Sequence, residues 1–146
     1  MEKEMILSIK SSQNFEGAGD DAVELVTTGS YEPTDDGWRI TYRESEVTGL
    51  GDTLTTFDVG ADEIILTRSG KVNSKMVFQR GKRHLSVYRT QFGEMTIGVG
   101  VKKIVNTLTD RGGNLEIKYT IDINQTVTGV NAVKINVREP GRSLAN

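Results

Sequence analysis

The chain is 146 residues long with a formal net charge of −2, no Cys, 16 Gly and two Pro, a length that suits one domain with a real core. Fourteen Val, 11 Ile and 16 Thr stand against nine Leu and five Ala, which excludes a helical bundle and favours strands joined by tight Gly turns. Without Cys there is no disulfide scaffold; the opening Met1-Glu2-Lys3-Glu4 is no secretory leader, and no apolar run approaches the roughly 18 residues of a membrane helix, so a cytoplasmic protein without a membrane partner is expected.

From the N-terminus, strand signals bounded by turn residues fall near 4–12, 22–31, 37–45, 52–59, 62–69, 71–80, 83–90 and 94–108. Two stronger ones follow. Leu115, Ile117, Tyr119, Ile121 and Ile123 share one face with Glu116, Lys118, Thr120, Asp122 and Asn124 on the other, and Val133, Ile135 and Val137 alternate with Lys134, Asn136 and Arg138. Such strict period two fixes register, each inward apolar side chain contributing about 1.5 to 3 kcal/mol when buried. Arg111-Gly112-Gly113-Asn114, Ser69-Gly70 and Gly81-Lys82 are the expected hairpin turns. Within 94–108 the apolar positions change parity near Lys102-Lys103, the mark of a bulge.

No helical stripe or long crossover is visible, so the ten strands should pair antiparallel with their sequence neighbours. The fold class is therefore all-β: one domain over residues 1–146, an antiparallel barrel of about 8 to 10 strands in mostly meander order. Closure removes the exposed edges of an open sheet. An immunoglobulin-like sandwich fits less well, because no Cys pair flanks Trp38. The small net charge is a cancellation: residues 1–70 carry 15 acidic and 5 basic residues (net −10), and residues 71–146 carry 5 acidic and 13 basic (net +8). Folded as one unit, the halves should form an acidic and a basic wall.

At Tyr42-Arg43-Glu44, Gly49, Thr55 and Arg68-Ser69-Gly70, then Phe78 and Tyr88-Arg89-Thr90-Gln91-Phe92-Gly93-Glu94-Met95, the sequence resembles the YwiB-like family of uncharacterised bacterial proteins over nearly its whole length. The resemblance implies a calycin-like (lipocalin-like) β-barrel. It implies no activity, substrate or catalytic residue, since the family has none established. Gly37-Trp38 lacks the spacing of the secreted lipocalin signature, and Trp38 reads as a core residue.

Alternation puts Tyr42 and Glu44 on the face of Ile40, and Arg68 on the face of Ile64 and Leu66. An interior Arg68 needs a carboxylate such as Glu44 or an anionic ligand, because an unpaired buried charge is costly. Three readings follow: an internal Glu44–Arg68 salt bridge, a shifted register that leaves both groups exposed to solvent, or a ligand site in which Arg68 receives a carboxylate or phosphate with Tyr42 and Tyr88 as hydroxyl partners. The leading function is a non-catalytic barrel binding a small, partly apolar, anionic ligand. A second class is a nucleic-acid or protein interaction module using the basic patch Arg80, Lys82, Arg83, Lys102 and Lys103, although the acidic total and few aromatics disfavour nucleic acid. A third is a barrel enzyme with Glu44 as base and Arg68 as oxyanion partner.

His84, the single histidine, reads as a surface residue beside Arg80, Lys82 and Arg83. One His and no Cys exclude the usual zinc sets, and Asp20-Asp21 and Asp35-Asp36 lack calcium-loop spacing, so neither metal nor cofactor is expected. Gly98-Val99-Gly100-Val101-Lys102-Lys103 is no phosphate loop; Gly98 and Gly100 share a face and should thin the wall where another side chain packs.

Overall fold

A computed structural model describes residues 2–15, 19–46, 51–124 and 126–141; Gly49 of the family resemblance lies outside them. The strands are β1 (Lys3–Phe15), β2 (Gly19–Pro33), β3 (Trp38–Arg43), β4 (Thr53–Val59), β5 (Ile64–Gly70), β6 (Asn73–Phe78), β7 (Arg83–Thr90), β8 (Gly93–Asn106), β9 (Gly113–Ile123) and β10 (Thr126–Arg138). Each pairs antiparallel with its neighbours in sequence, and β1 pairs with β10, so the meander closes into a ten-stranded barrel.

Alternation explains both the strands and their register. In β4, Thr53, Thr55, Phe57 and Val59 are buried while the residues between them are half-exposed. The same rhythm carries Met5, Leu7 and Ile9 of β1 and Val133, Ile135 and Val137 of β10 into the interior. β8 keeps its inward apolar side chains only because register shifts between Val101 and Lys103, after which Ile104 faces Ile117. That is the expected bulge, one extra residue restoring the alternation.

The strands run further than period two alone indicates. β1 and β2 extend to Phe15 and Gly19, paired with each other, and β10 begins at Thr126, seven residues before Val133, with an irregularity between Val127 and Gly129. Backbone pairing continues there past the end of the apolar pattern. The β5–β6 turn is Lys71-Val72, later than expected: Gly70 closes β5, with its N–H accepted by Asn73 Oδ1 and its carbonyl accepting from Asn73 Nδ2 at 2.9 Å.

The two ends of the barrel differ. One is filled by Met5, Tyr31, Val59, Ile64, Phe78 and Val137, all nearly inaccessible, and Tyr31 stacks on the half-buried Trp38 at 4.7 Å and 8°. At the other end, polar residues take over the inward positions.

Candidate functional site

Register assembles the polar end row by row. Tyr42 pairs with Thr55, Thr55 with Arg68, Arg68 with Ser74, Ser74 with Tyr88 and Tyr88 with Met95. Because directly paired residues point to the same side of a sheet, these six side chains share the inner face of β3 to β8. One row deeper lie Ile40, Phe57, Leu66 and Met76, an apolar floor. Phe57, Leu66 and Met76 of this floor and Tyr42, Arg68, Tyr88 and Met95 of the polar row, together with Tyr119 and Ile121 of β9, Asn131 and Val133 of β10, and Ser11 and Gln13 of β1, line a cavity of about 420 Å³. That is within the usual size of small-molecule sites, about 300–1,000 Å³. The exposed Met95 stands at its rim, and Phe92, 91 % exposed, lies in the β7–β8 turn at the same end of the barrel.

All four residues read from the sequence as a ligand site, Tyr42, Glu44, Arg68 and Tyr88, line this cavity. Their pairing differs from the salt-bridge reading. Glu44 is 9 % exposed and its Oε2 accepts a hydrogen bond from Thr55 Oγ1 at 2.6 Å, and the Tyr42 side chain is hydrogen-bonded to it as well. No ion pair between Glu44 and Arg68 forms among the described residues. Arg68 Nε is instead buried without a partner, and so are Ser74 Oγ beside it in register and Thr53 Oγ1, on the residue whose carbonyl accepts the Glu44 N–H. These three orphan atoms adjoin the polar row. Leaving such a group unpaired costs about 1–3 kcal/mol, and more when charged.

The phenols respond to this environment. Burial, and then the Glu44 carboxylate, push Tyr42 far above the ordinary tyrosine range, with Arg68 pulling the other way. Tyr119 is also raised, by burial first and against Arg68. Both are neutral hydrogen-bonding groups at any physiological pH. Tyr119 and Asn131 are site residues that the sequence reading missed. Tyr119 sits in the clearest strand pattern, and extending the β10 alternation back from Val133 reaches Asn131, so parity alone could have flagged both.

The other candidates lie elsewhere. Arg83 reaches across β8 to Asp122 of β9 in a bidentate pair, Nε to Oδ2 at 2.8 Å and Nη2 to Oδ1 at 2.7 Å. It passes over Gly98, where an added Cβ would lie 2.5 Å from both partners. The thin wall expected at Gly98 is therefore the bed of an ion pair. Arg80 donates to the Ile104 carbonyl and Lys103 pairs with Glu116 at 3.6 Å, so three of the five basic-patch residues already have intramolecular partners; Lys82 and Lys102 are exposed. His84 is half-buried rather than on the surface, with Nε2 3.0 Å from Gln79 Oε1, because its parity in β7 is the inward one shared with Ser86 and Tyr88.

A closed meander barrel, packed at one end and hollow and polar at the other, defines the class: an all-β barrel with a cavity at one end. The chain belongs to the family described as a domain of unknown function (DUF1934), whose model matches residues 7–135. It is 27 % identical over 122 residues to the uncharacterised β-barrel protein YwiB of Bacillus subtilis, covering 84 % of each chain. The crystal structure of the ywiB protein from Bacillus subtilis has the same fold, with a TM-score of 0.81 at 24 % identity over 94 % of this chain and 92 % of that one.

Proposed function

We propose that this protein is a cytoplasmic binding barrel that takes a small ligand, with an apolar body and an anionic group, into its hollow end. The observation that carries the reading is the buried, unpartnered Nε of Arg68 at the wall of a cavity floored by Phe57, Leu66 and Met76. An acid group accepting from Arg68 would remove the desolvation cost of that guanidinium. The apolar floor would bury the rest of the ligand at roughly 25 cal/mol per Å². The calycin-like architecture that the family resemblance implies, a small barrel with one ligand inside, fits this use. Tyr42 and Tyr88 supply hydroxyl partners.

Native mass spectrometry of the protein purified from its own host, beside a Val133→Phe variant that fills part of the cavity, tests the proposal. A retained small-molecule mass on the wild type that is absent from a folded variant is the expected result. A wild type carrying no added mass, or the same mass on both proteins, would sink it.

A further inference from the structure

The charges lining the cavity say more about the ligand than that it carries an acid group. Glu44 and Arg68 are the only Asp, Glu, Lys or Arg side chains lining it among the described residues, so the chamber holds one anionic and one cationic site. These do not cancel by contact. Thr55, on the strand between them, takes the carboxylate, and the guanidinium is left with a free buried donor.

Each group also has unused capacity. A carboxylate offers about four acceptor positions, and the hydroxyls of Thr55 and Tyr42 account for two at Glu44. Arg68 Nε and the neighbouring Ser74 Oγ both lack partners. A ligand bearing only an acid group would satisfy Arg68 while adding a second negative charge to a low-dielectric chamber that already contains Glu44, and like charges there repel strongly. A ligand bearing only an amine would meet the mirror-image problem at Arg68.

We infer that the ligand is amphoteric, placing an acid group on Arg68 and an N–H donor on Glu44, with its apolar body against the floor of Phe57, Leu66 and Met76. An apolar amino acid or amino-acid-like compound has this chemistry. The inference rests on the binding-barrel reading and narrows it.

Isothermal titration of the full chain with three probes of matched apolar length, octanoate, octylamine and α-aminooctanoate, separates the two. α-Aminooctanoate should bind at least about tenfold more tightly than either singly charged probe, a factor that corresponds to one well-made contact. In Glu44→Gln its advantage over octanoate should fall to about onefold while its advantage over octylamine persists; Arg68→Met should show the reverse. The wild-type ranking decides the matter even if a variant fails to fold. Octanoate binding as tightly as α-aminooctanoate overturns the amphoteric ligand and leaves the binding barrel standing. Failure of all three probes to bind overturns the inference, and the native-mass result then decides the barrel reading separately.

Discussion

Thr55 decides which way the Glu44 carboxylate points. Its hydroxyl donates at 2.6 Å to an acid that is almost fully buried, and its place opposite Arg68 in the ladder puts it between the two charges. Thr55→Val keeps the shape and removes the donor, so it should cost about 1–3 kcal/mol in urea unfolding, the range for a buried acceptor losing a partner; an unchanged midpoint would show that Glu44 does not depend on Thr55. Gly98 acts by a different route. A Cβ there would first meet the movable ends of Arg83 and Asp122, so Gly98→Ala should break their ion pair while the sheet stays intact. A double-mutant cycle then reads it: Asp122→Asn should destabilise the Gly98→Ala background less than the wild type, and strict additivity would refute the contact. Parity placed Tyr42, Glu44 and Arg68 on the inner face, and this much was legible in the sequence. That Glu44 would turn to Thr55 was not, because it depends on the register of β3 against β4, in which Tyr42 pairs with Thr55 and the Glu44 N–H donates to the Thr53 carbonyl.

Among the elements, β9 shows most clearly where a pattern stops being informative. Leu115 and Ile117 are almost inaccessible, whereas Tyr119, Ile121 and Ile123, in the same phase of the same strand, are only partly buried because they border the cavity. Alternation reports which way a side chain points, not whether anything fills the space it points into. The turns were readable only to within a residue or two: bridges Gln79–Lys82 and Thr109–Gly112 put them at Arg80-Gly81 and Asp110-Arg111, just before the expected Gly81-Lys82 and Arg111-Gly112-Gly113-Asn114. Gly112 has φ +114 and its missing Cβ would lie 2.2 Å from the Val137 carbonyl oxygen, so β8 and β9 can be joined there only by glycine. Gly81 has φ +78 with nothing within 4 Å, a conformation Asn adopts readily. Gly112→Ala should therefore destabilise by more than about 1 kcal/mol, and Gly81→Asn should be nearly neutral by thermal melting. Equal losses at the two sites would contradict this account of the turns.

For the molecule as a whole, three of its four tyrosines tie stability to pH. Tyr31 is raised by burial and then by Asp110, and Tyr42 and Tyr119 by burial in the cavity wall. Phenols in the unfolded chain ionise near pH 10. The folded state holds these protons to higher pH, so its advantage is complete below about pH 10 and declines above it as the unfolded chain releases protons that the barrel keeps. Urea midpoints should fall between about pH 8 and about pH 11, and a flat profile would contradict the shifts. The strand order also places the acidic residues 1–70 on β1 to β5 and the basic residues 71–146 on β6 to β10. The pairs Arg39–Glu32, Arg39–Asp58, Arg83–Asp122 and Arg111–Glu139 each stay within one half, so these contacts leave the dipole across the barrel standing.

Closure of that barrel has a consequence for how it is made. The seam that completes it joins β1 to β10, with Arg138 donating to Ser8 from 130 positions away. While the chain is being synthesised, β1 can pair only with β2, and its other edge stays open, a template for pairing with a neighbouring chain, until nearly all the remaining residues have emerged. The strand that is made first is the last to be fully protected. Synthesis that stalls before β10 should therefore yield an aggregating product rather than a smaller soluble barrel.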